Sequence, residues 1–248
     1  MRRQRRSRVV VLRVLWVGAE LAVTVGLVLL LLVVHQLWWT NRQARAGAER
    51  QVRALEREWS GARQDGPVPP APTAPPTAPG AAPPSAKSRA PASAPAATPA
   101  PAPAAPREAY ALLRIPSLGL VVPVGRGVSR RGVLDKGYAG HYPGTAGPGG
   151  AGNFALAGHR NAHGEPFRRV DRLRPGDAIV VETRDAVYTY AVDRTLPRTT
   201  PRDTAVIAAV PKGYDEPGHY VTLTTCTPEY SSAYRLVVWG KLRAMRPR

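Results

Sequence analysis

From Gly66 to Pro106 the chain is built almost wholly of proline, alanine and small polar residues, and 15 of its 27 prolines fall between Pro67 and Pro106. Proline has no backbone N–H and a fixed φ, so such a stretch can complete neither a helix nor a sheet, and its alanines cannot supply a core. It is expected to stay extended in polyproline conformation. At about 3.1 Å per residue its forty or so residues reach roughly 120 Å. This divides the chain: a globular core has to come from residues 107–248, and the residues before 66 need a different source of stability.

That source is a bilayer. Arg2, Arg3, Arg5, Arg6, Arg8 and Arg13 precede an apolar run from Val14 to about Trp39, within which Leu21 to Val34 carries no charge. The run meets the about 20 residues that cross a membrane, and no small-residue cleavage site closes it, so an uncleaved anchor is expected over 14–39. The arginines of 1–13 against Arg42 and Arg45 beyond place the N-terminus in the cytoplasm, with Trp38 and Trp39 at the outer interface. Glu20 sits inside the run, where a carboxylate needs headgroups or a helix partner. Residues 40–65 are charged and alanine-rich, with Val52, Leu55 and Trp59 at helical spacing, and read as a juxtamembrane helix solvated on most sides. The proline-rich 66–106 then acts as a spacer that lets the next domain work away from the membrane.

Within 107–248 the period-2 apolar runs are short: Ala111 to Ile115, Leu120 to Val124, Phe154 to Gly158, Ala178 to Thr183, Val187 to Val192, Tyr220 to Cys226 and Arg235 to Leu242. Turn-formers such as Pro116, Pro175-Gly176-Asp177 and Pro211-Lys212-Gly213 separate them. Seven short strands in about 140 residues predict an all-β barrel or sandwich. Helical pattern is scarce, with short helices expected around Phe167 to Leu173 and Asp203 to Val210.

Two strands end on reactive side chains. In Thr222-Leu223-Thr224-Thr225-Cys226 the alternation places the only cysteine of the chain at a strand's C-terminal end, and Pro228 stops the strand. A lone cysteine makes no intramolecular disulfide, and in an exported protein it marks a reactive thiol. The next β-rich run opens at Arg235, so a hairpin-like return brings Arg235 near Cys226. Upstream, Asn153-Phe154-Ala155-Leu156-Ala157-Gly158 ends on His159. If these strands are parallel neighbours, thiol and imidazole share one rim.

A thiol at its ordinary pKa of about 8.5 is mostly protonated at neutral pH, whereas the thiolate is the nucleophile. Positive charge from His159 or Arg235 favours the thiolate, and the imidazole can then protonate a departing amine. A guanidinium cannot be a base, but its donors suit an oxyanion. The residues thus divide into nucleophile Cys226, acid and base His159, and electrostatic stabiliser Arg235.

Leu-Thr-Thr-Cys with a following Arg, and the upstream Ala-Gly-His-Arg, resemble the sortases, cysteine transpeptidases of Gram-positive surfaces. The resemblance covers most of Tyr110 to Leu242. It implies one closed barrel of about eight strands and the same three catalytic roles. Gly18-Ala19-Glu20-Leu21 with Thr24 and Gly26, together with Tyr138 to Thr145, is similar to the class E sortases of actinobacteria. That implies a Leu-Ala-x-Thr-Gly-like sorting signal cut between Thr and Gly, an acyl thioester, and transfer to the amine of a peptidoglycan precursor on the outer face of the membrane. Tyr142, with His141 beside it and Thr225 before the cysteine, are the substrate-binding candidates. A cysteine peptidase that gives the acyl group to water, and a non-catalytic wall-associated module, are the competing readings.

His141 is also the runner-up for the catalytic histidine. His141, His163 and His219 show no metal-ligand spacing, and Asp203, Asp215 and Glu216 are too dispersed for calcium, so neither a metal nor another cofactor is expected. The formal net charge of +18 fits an anionic membrane or wall polymer. Being spread, and without a nucleic-acid motif, it does not point to nucleic acid.

Overall fold

The structure is a computed structural model that describes residues 2–64 and 109–248. The proline-rich 66–106, and the side chains of the arginines before residue 13, lie outside the described residues.

The first element, α1 (Arg2–Gln64), is one continuous helix of 63 residues. Among the described residues it is the one helix long and apolar enough to cross a membrane. From Leu21 to Val34 it carries no charge on any face, and Leu21, Leu27, Leu29 and Leu31 are all more than half exposed, the pattern of a candidate membrane span. Beyond Trp39 the stripe narrows to one side. Ala48, Val52, Leu55 and Trp59 are buried against Ala109, Leu112, Val133 and Tyr138 of the globular unit.

Eight strands follow: β1 (Ala109–Ile115), β2 (Leu120–Arg126), β3 (Ala139–His141), β4 (Gly152–Ala157), β5 (Ala178–Glu182), β6 (Ala186–Thr199), β7 (His219–Thr227) and β8 (Tyr234–Pro247). They close a barrel in the order β1-β2-β3-β4-β7-β8-β6-β5. The pairs β2·β3 and β4·β7 are parallel and the remainder antiparallel. Leu113, Ile115, Val124, Phe154, Leu156, Ile179, Val181, Val221, Leu223 and Val238 fill the interior with no exposed surface. The all-β barrel of about eight strands is therefore present. The eighth strand, β3, has only three residues, too few to show a period, and the two expected helices shrink to 3-10 turns at Val170–Arg172 and Thr204–Ile207.

The segment after the apolar run is exposed over most of its circumference, and its Val52-Leu55-Trp59 stripe has a partner surface on β1 and on the loop before β3. Polar contacts reinforce the seam: Glu56 pairs with Arg114, which also donates to Glu182 at 2.7 Å, and Arg45 pairs with Glu165 at 2.9 Å. Asn41 Oδ1 accepts the Gly164 N–H at 2.6 Å. Each large apolar side chain buried there contributes about 1.5–3 kcal/mol. The barrel is thus fastened to the helix.

Candidate active site

The site follows from one parallel pairing. β4 and β7 run side by side with Phe154 opposite Val221 and Ala157 opposite Thr224, so their C-terminal ends reach the same rim. The Gly158 N–H donates to the Thr224 carbonyl at 3.1 Å, and the Thr225 hydroxyl donates to the Gly158 carbonyl at 2.8 Å. These bonds tie the residue before His159 to the residue before Cys226. Gly158 is required here, since a Cβ would stand 2.7 Å from Cγ of Phe167, whose ring packs under the backbone leading to His159. On the other side of β7, Cys226 faces Arg235 in the β7·β8 register.

Cys226, His159 and Arg235 line a single cleft of about 420 Å³, together with Tyr142, Thr225 and Arg130. Cys226 is free and partly exposed. Arg235 Nη1 donates to the carbonyls of Ser232 at 2.9 Å and Tyr234 at 3.0 Å. Two fixed acceptors hold the guanidinium at the strand's start, and among the described residues its Nε and Nη2 keep no protein partner. The Tyr142 hydroxyl is 3.0 Å from Thr224 Oγ1, which holds the ring at the cleft. His141 is set apart from this group. Its Nε2 donates to the Ala146 carbonyl at 3.0 Å, its Nδ1 accepts from the Tyr110 hydroxyl at 2.7 Å, and its ring packs edge-on against Phe154. Both nitrogens being engaged within the protein, it does not line the cleft, and burial lowers its pKa below the ordinary value.

Two residues without a sequence-level role complete the arrangement. Asp135 Oδ1 accepts from His159 Nε2 at 2.8 Å, which leaves Nδ1 as the nitrogen free to exchange a proton and fixes the tautomer of the neutral ring. Burial lowers the His159 pKa from its ordinary value, against the raising effect of the Asp135 hydrogen bond, while positive charge on His163 and Arg130 lowers it further. Arg160 is 8% exposed. Its Nη1 donates to the Cys226 carbonyl at 3.4 Å and to Thr227 Oγ1 at 3.2 Å, while Nη2 pairs with Asp171 at 3.2 Å. It therefore braces the backbone of the cysteine itself. Arg160 stands in the Ala-Gly-His-Arg run and was within reach of sequence reasoning, whereas Asp135, alone in a loop 24 residues before His159, gave no signal.

A model of the sortase domain family matches residues 113–243. Sortase SrtE1 of Streptomyces coelicolor is 42% identical over 236 residues, which make up 92% of this chain and 57% of that protein. Sortase SrtE2 of the same organism is 34% identical over 233 residues, 90% of this chain and 79% of that one. The chain thus spans a little over half the length of the first relative. Among solved structures, Sortase E1 from Streptomyces coelicolor, with a tripeptide in its active site, is 53% identical at a TM-score of 0.56, covering 57% of this chain and 91% of that one. Sortase E from Streptomyces avermitilis is 40% identical at 0.51, covering 56% and 91%. Taken with the barrel and the rim that gathers a cysteine, a histidine and an arginine, these matches show that the chain belongs to the sortase family.

Proposed function

We propose that this chain is a membrane-anchored transpeptidase of the class E type, in which Cys226 is the nucleophile, His159 the acid and base, and Arg235 the electrostatic stabiliser. The observation that carries the reading is that these three side chains leave three adjacent strands, β4, β7 and β8, and open into one cleft. The thiolate of Cys226 attacks the Thr carbonyl of a Leu-Ala-x-Thr-Gly-like signal, and the carbonyl electron pair moves to oxygen, where the free donors of Arg235 stabilise it. Collapse of this intermediate expels the glycine amine, which takes the proton from Nδ1 of the His159 imidazolium and leaves a thioester. An acceptor amine then attacks the thioester, gives its extra proton back to Nδ1, and releases the thiolate. Asp135, bonded to Nε2, holds the ring in the orientation that both steps use.

Tyr142 and Thr225 would contact the signal from the wall of the cleft, with the Tyr142 ring facing its second position. His141 supports that wall through Tyr110 and Phe154. The acceptor is an amine of a peptidoglycan precursor, and the donors are secreted proteins that carry the signal. The apolar half of α1 would span the membrane with its N-terminus in the cytoplasm and the barrel outside, as its flanking arginines favour.

The test is to incubate the full chain in detergent with a Leu-Ala-x-Thr-Gly peptide and a glycine-based amine. A mixed amide product is expected, and it should vanish in Cys226→Ala. Acid alone would make the chain a peptidase, and no cleavage of any signal peptide would make it a non-catalytic module.

A further inference from the structure

Three metal-binding side chains converge beside the cleft. Asp135 Oδ1 lies 2.8 Å from His159 Nε2 and 3.6 Å from His163 Nε2, and the three donor atoms all fall within 4.8 Å of one another. The two imidazoles are neighbours, with ring centroids 5.1 Å apart. The linear sequence gave no ligand spacing because the loop after β4 reverses: His163, Gly164 and Glu165 all take positive φ, which returns His163 over Asp135.

Two imidazole nitrogens and one carboxylate oxygen form a donor set that zinc takes with a fourth position left open. Bonds of about 2.0–2.2 Å put the corners of a zinc tetrahedron about 3.3 Å apart. The 3.6 Å separation already suits this, and the 2.8 Å one opens slightly as a hydrogen bond gives way to two metal bonds. All three side chains are partly exposed, between 19% and 26%, so an ion can reach them. The loop is also held in place before any ion arrives. Asn41 accepts the Gly164 N–H, and Arg45 Nε donates to the Gly164 carbonyl at 3.1 Å. A ligand set on a braced loop loses little freedom on binding.

We propose that Asp135, His159 and His163 form a zinc site, with solvent in the fourth position, that switches the cleft off by withdrawing His159 from proton transfer. The switch rests on the acid–base role of His159, whereas the binding does not. When zinc takes the Nε2 lone pair, the proton of the neutral ring moves to Nδ1. The nitrogen that would accept a proton from the thiol or the incoming amine is then capped, and its N–H is a much weaker acid than that of an imidazolium, so the ring cannot cycle a proton while the ion is bound.

The rival ligand is the soft thiol of Cys226, so binding is measured with and without it. Full-length protein in detergent micelles, stripped with EDTA, is titrated calorimetrically with zinc chloride as wild type, Cys226→Ala, His163→Asn and Asp135→Asn. Asparagine tolerates the positive φ at position 163, so that variant removes the imidazole and keeps the loop, with thermal melting as the check and Asp135→Asn as the second ligand deletion. One ion per chain is expected in wild type and Cys226→Ala. Affinity should fall in His163→Asn by more than the about 10- to 100-fold that even an outer-shell contact contributes. Peptide turnover in zinc is compared with turnover in EDTA, each protein against itself. Wild type should lose at least about tenfold, in line with the 10²–10⁴ that general acid–base catalysis supplies, while His163→Asn should show a ratio near one. No binding by wild type, or binding lost in Cys226→Ala and kept in His163→Asn, overturns the site. Zinc bound at the triad with turnover unchanged overturns the switch and, with it, the role given to His159.

Discussion

The Arg248 guanidinium lies 4.5 Å from the centroid of the Trp59 ring, so the last residue of the chain closes over the first helix near its final turn. Arg248 also donates to Glu182 of β5 at 2.9 Å. Arg248 therefore joins the helix and the barrel at one seam. A domain cut at residue 107 should not have the stability of the whole, because it exposes Leu112, Val133 and Tyr138. A piece beginning at Asn41, by contrast, keeps the seam. We expect the 107–248 piece to melt at a clearly lower temperature than a chain that retains 41–64, and Trp59→Ala in the longer chain to lose up to the about 3–5 kcal/mol typical of a buried Trp. Equal melting temperatures for the two pieces would show that the packing adds nothing.

Arg235 provides a kinetic test of the oxyanion assignment. Its Nη1 is occupied by two carbonyls, so only the remaining donors of a planar fork can serve substrate. An interaction made in the transition state lowers kcat and leaves KM nearly unchanged when removed. Arg235→Ala should lose about 10²- to 10³-fold in kcat, and Arg235→Lys should recover little, since a point charge cannot reproduce the fork. A folded Arg235→Ala variant within about threefold of wild type, far from that loss, would take the residue out of the chemistry.

Arg160 acts on the cysteine without touching the reacting atoms. Deleting it removes a donor to the Cys226 carbonyl and the partner of Asp171, which at 40% exposure can turn to water, a net loss of about 0.5–1.5 kcal/mol per hydrogen bond. The effect on Cys226 can be read separately from stability through the alkylation rate of the thiol. We expect Arg160→Ala to lower both the melting temperature and peptide turnover, and Arg160→Lys to restore only part of each. An alanine variant that melts earlier but turns over peptide at the wild-type rate would assign Arg160 to the fold alone.

Asp203 makes the acid limb of stability testable. Its carboxylate is held below the usual range, first by the Thr199 hydroxyl at 2.6 Å and then by the Lys212 ammonium at 2.9 Å. The folded pKa is therefore lower than the unfolded value of about 3.9. The resulting stabilisation is fully present above the unfolded value and is lost as pH falls through it toward the folded one. Asp203→Asn should be less stable than wild type at pH 7, and the two urea-unfolding curves should draw together as pH falls below about 4. A constant gap across that window would mean that Asp203 stabilises by packing alone.

The barrel and the rim were legible because both rest on local pattern. β4 and β7 show a period of two and stop at Gly158 and Pro228, so the reactive residues at their C-terminal ends, His159 and Cys226, were placed before any pairing was known. The apolar stripe of Val52, Leu55 and Trp59 was equally visible. Its partner was not, since Leu112 and Tyr138 are recognisable as the other half of a core only once the barrel closes. Asp135 and His163 were hidden for a related reason. Their meeting depends on consecutive positive φ values in one loop and on Asn41 and Arg45 of a helix more than 100 residues earlier. For His141, a candidate read from its place beside Tyr142, the sequence does not show that Tyr110 and Ala146 occupy both of its nitrogens.

The bond between Asn41 and Gly164 also sets an altitude. Asn41 follows Trp39 by two residues, about 3 Å of helical rise, and its side chain grips the loop that leads back to His159. With the apolar half of α1 seated in a bilayer, the mouth of the cleft would hover just over the headgroups at one height, whatever the length of the proline-rich stretch. Encounters would then be settled by lateral diffusion in a plane. Partners that are themselves lipid-tethered would meet the thiol far more often than the same groups free in solution.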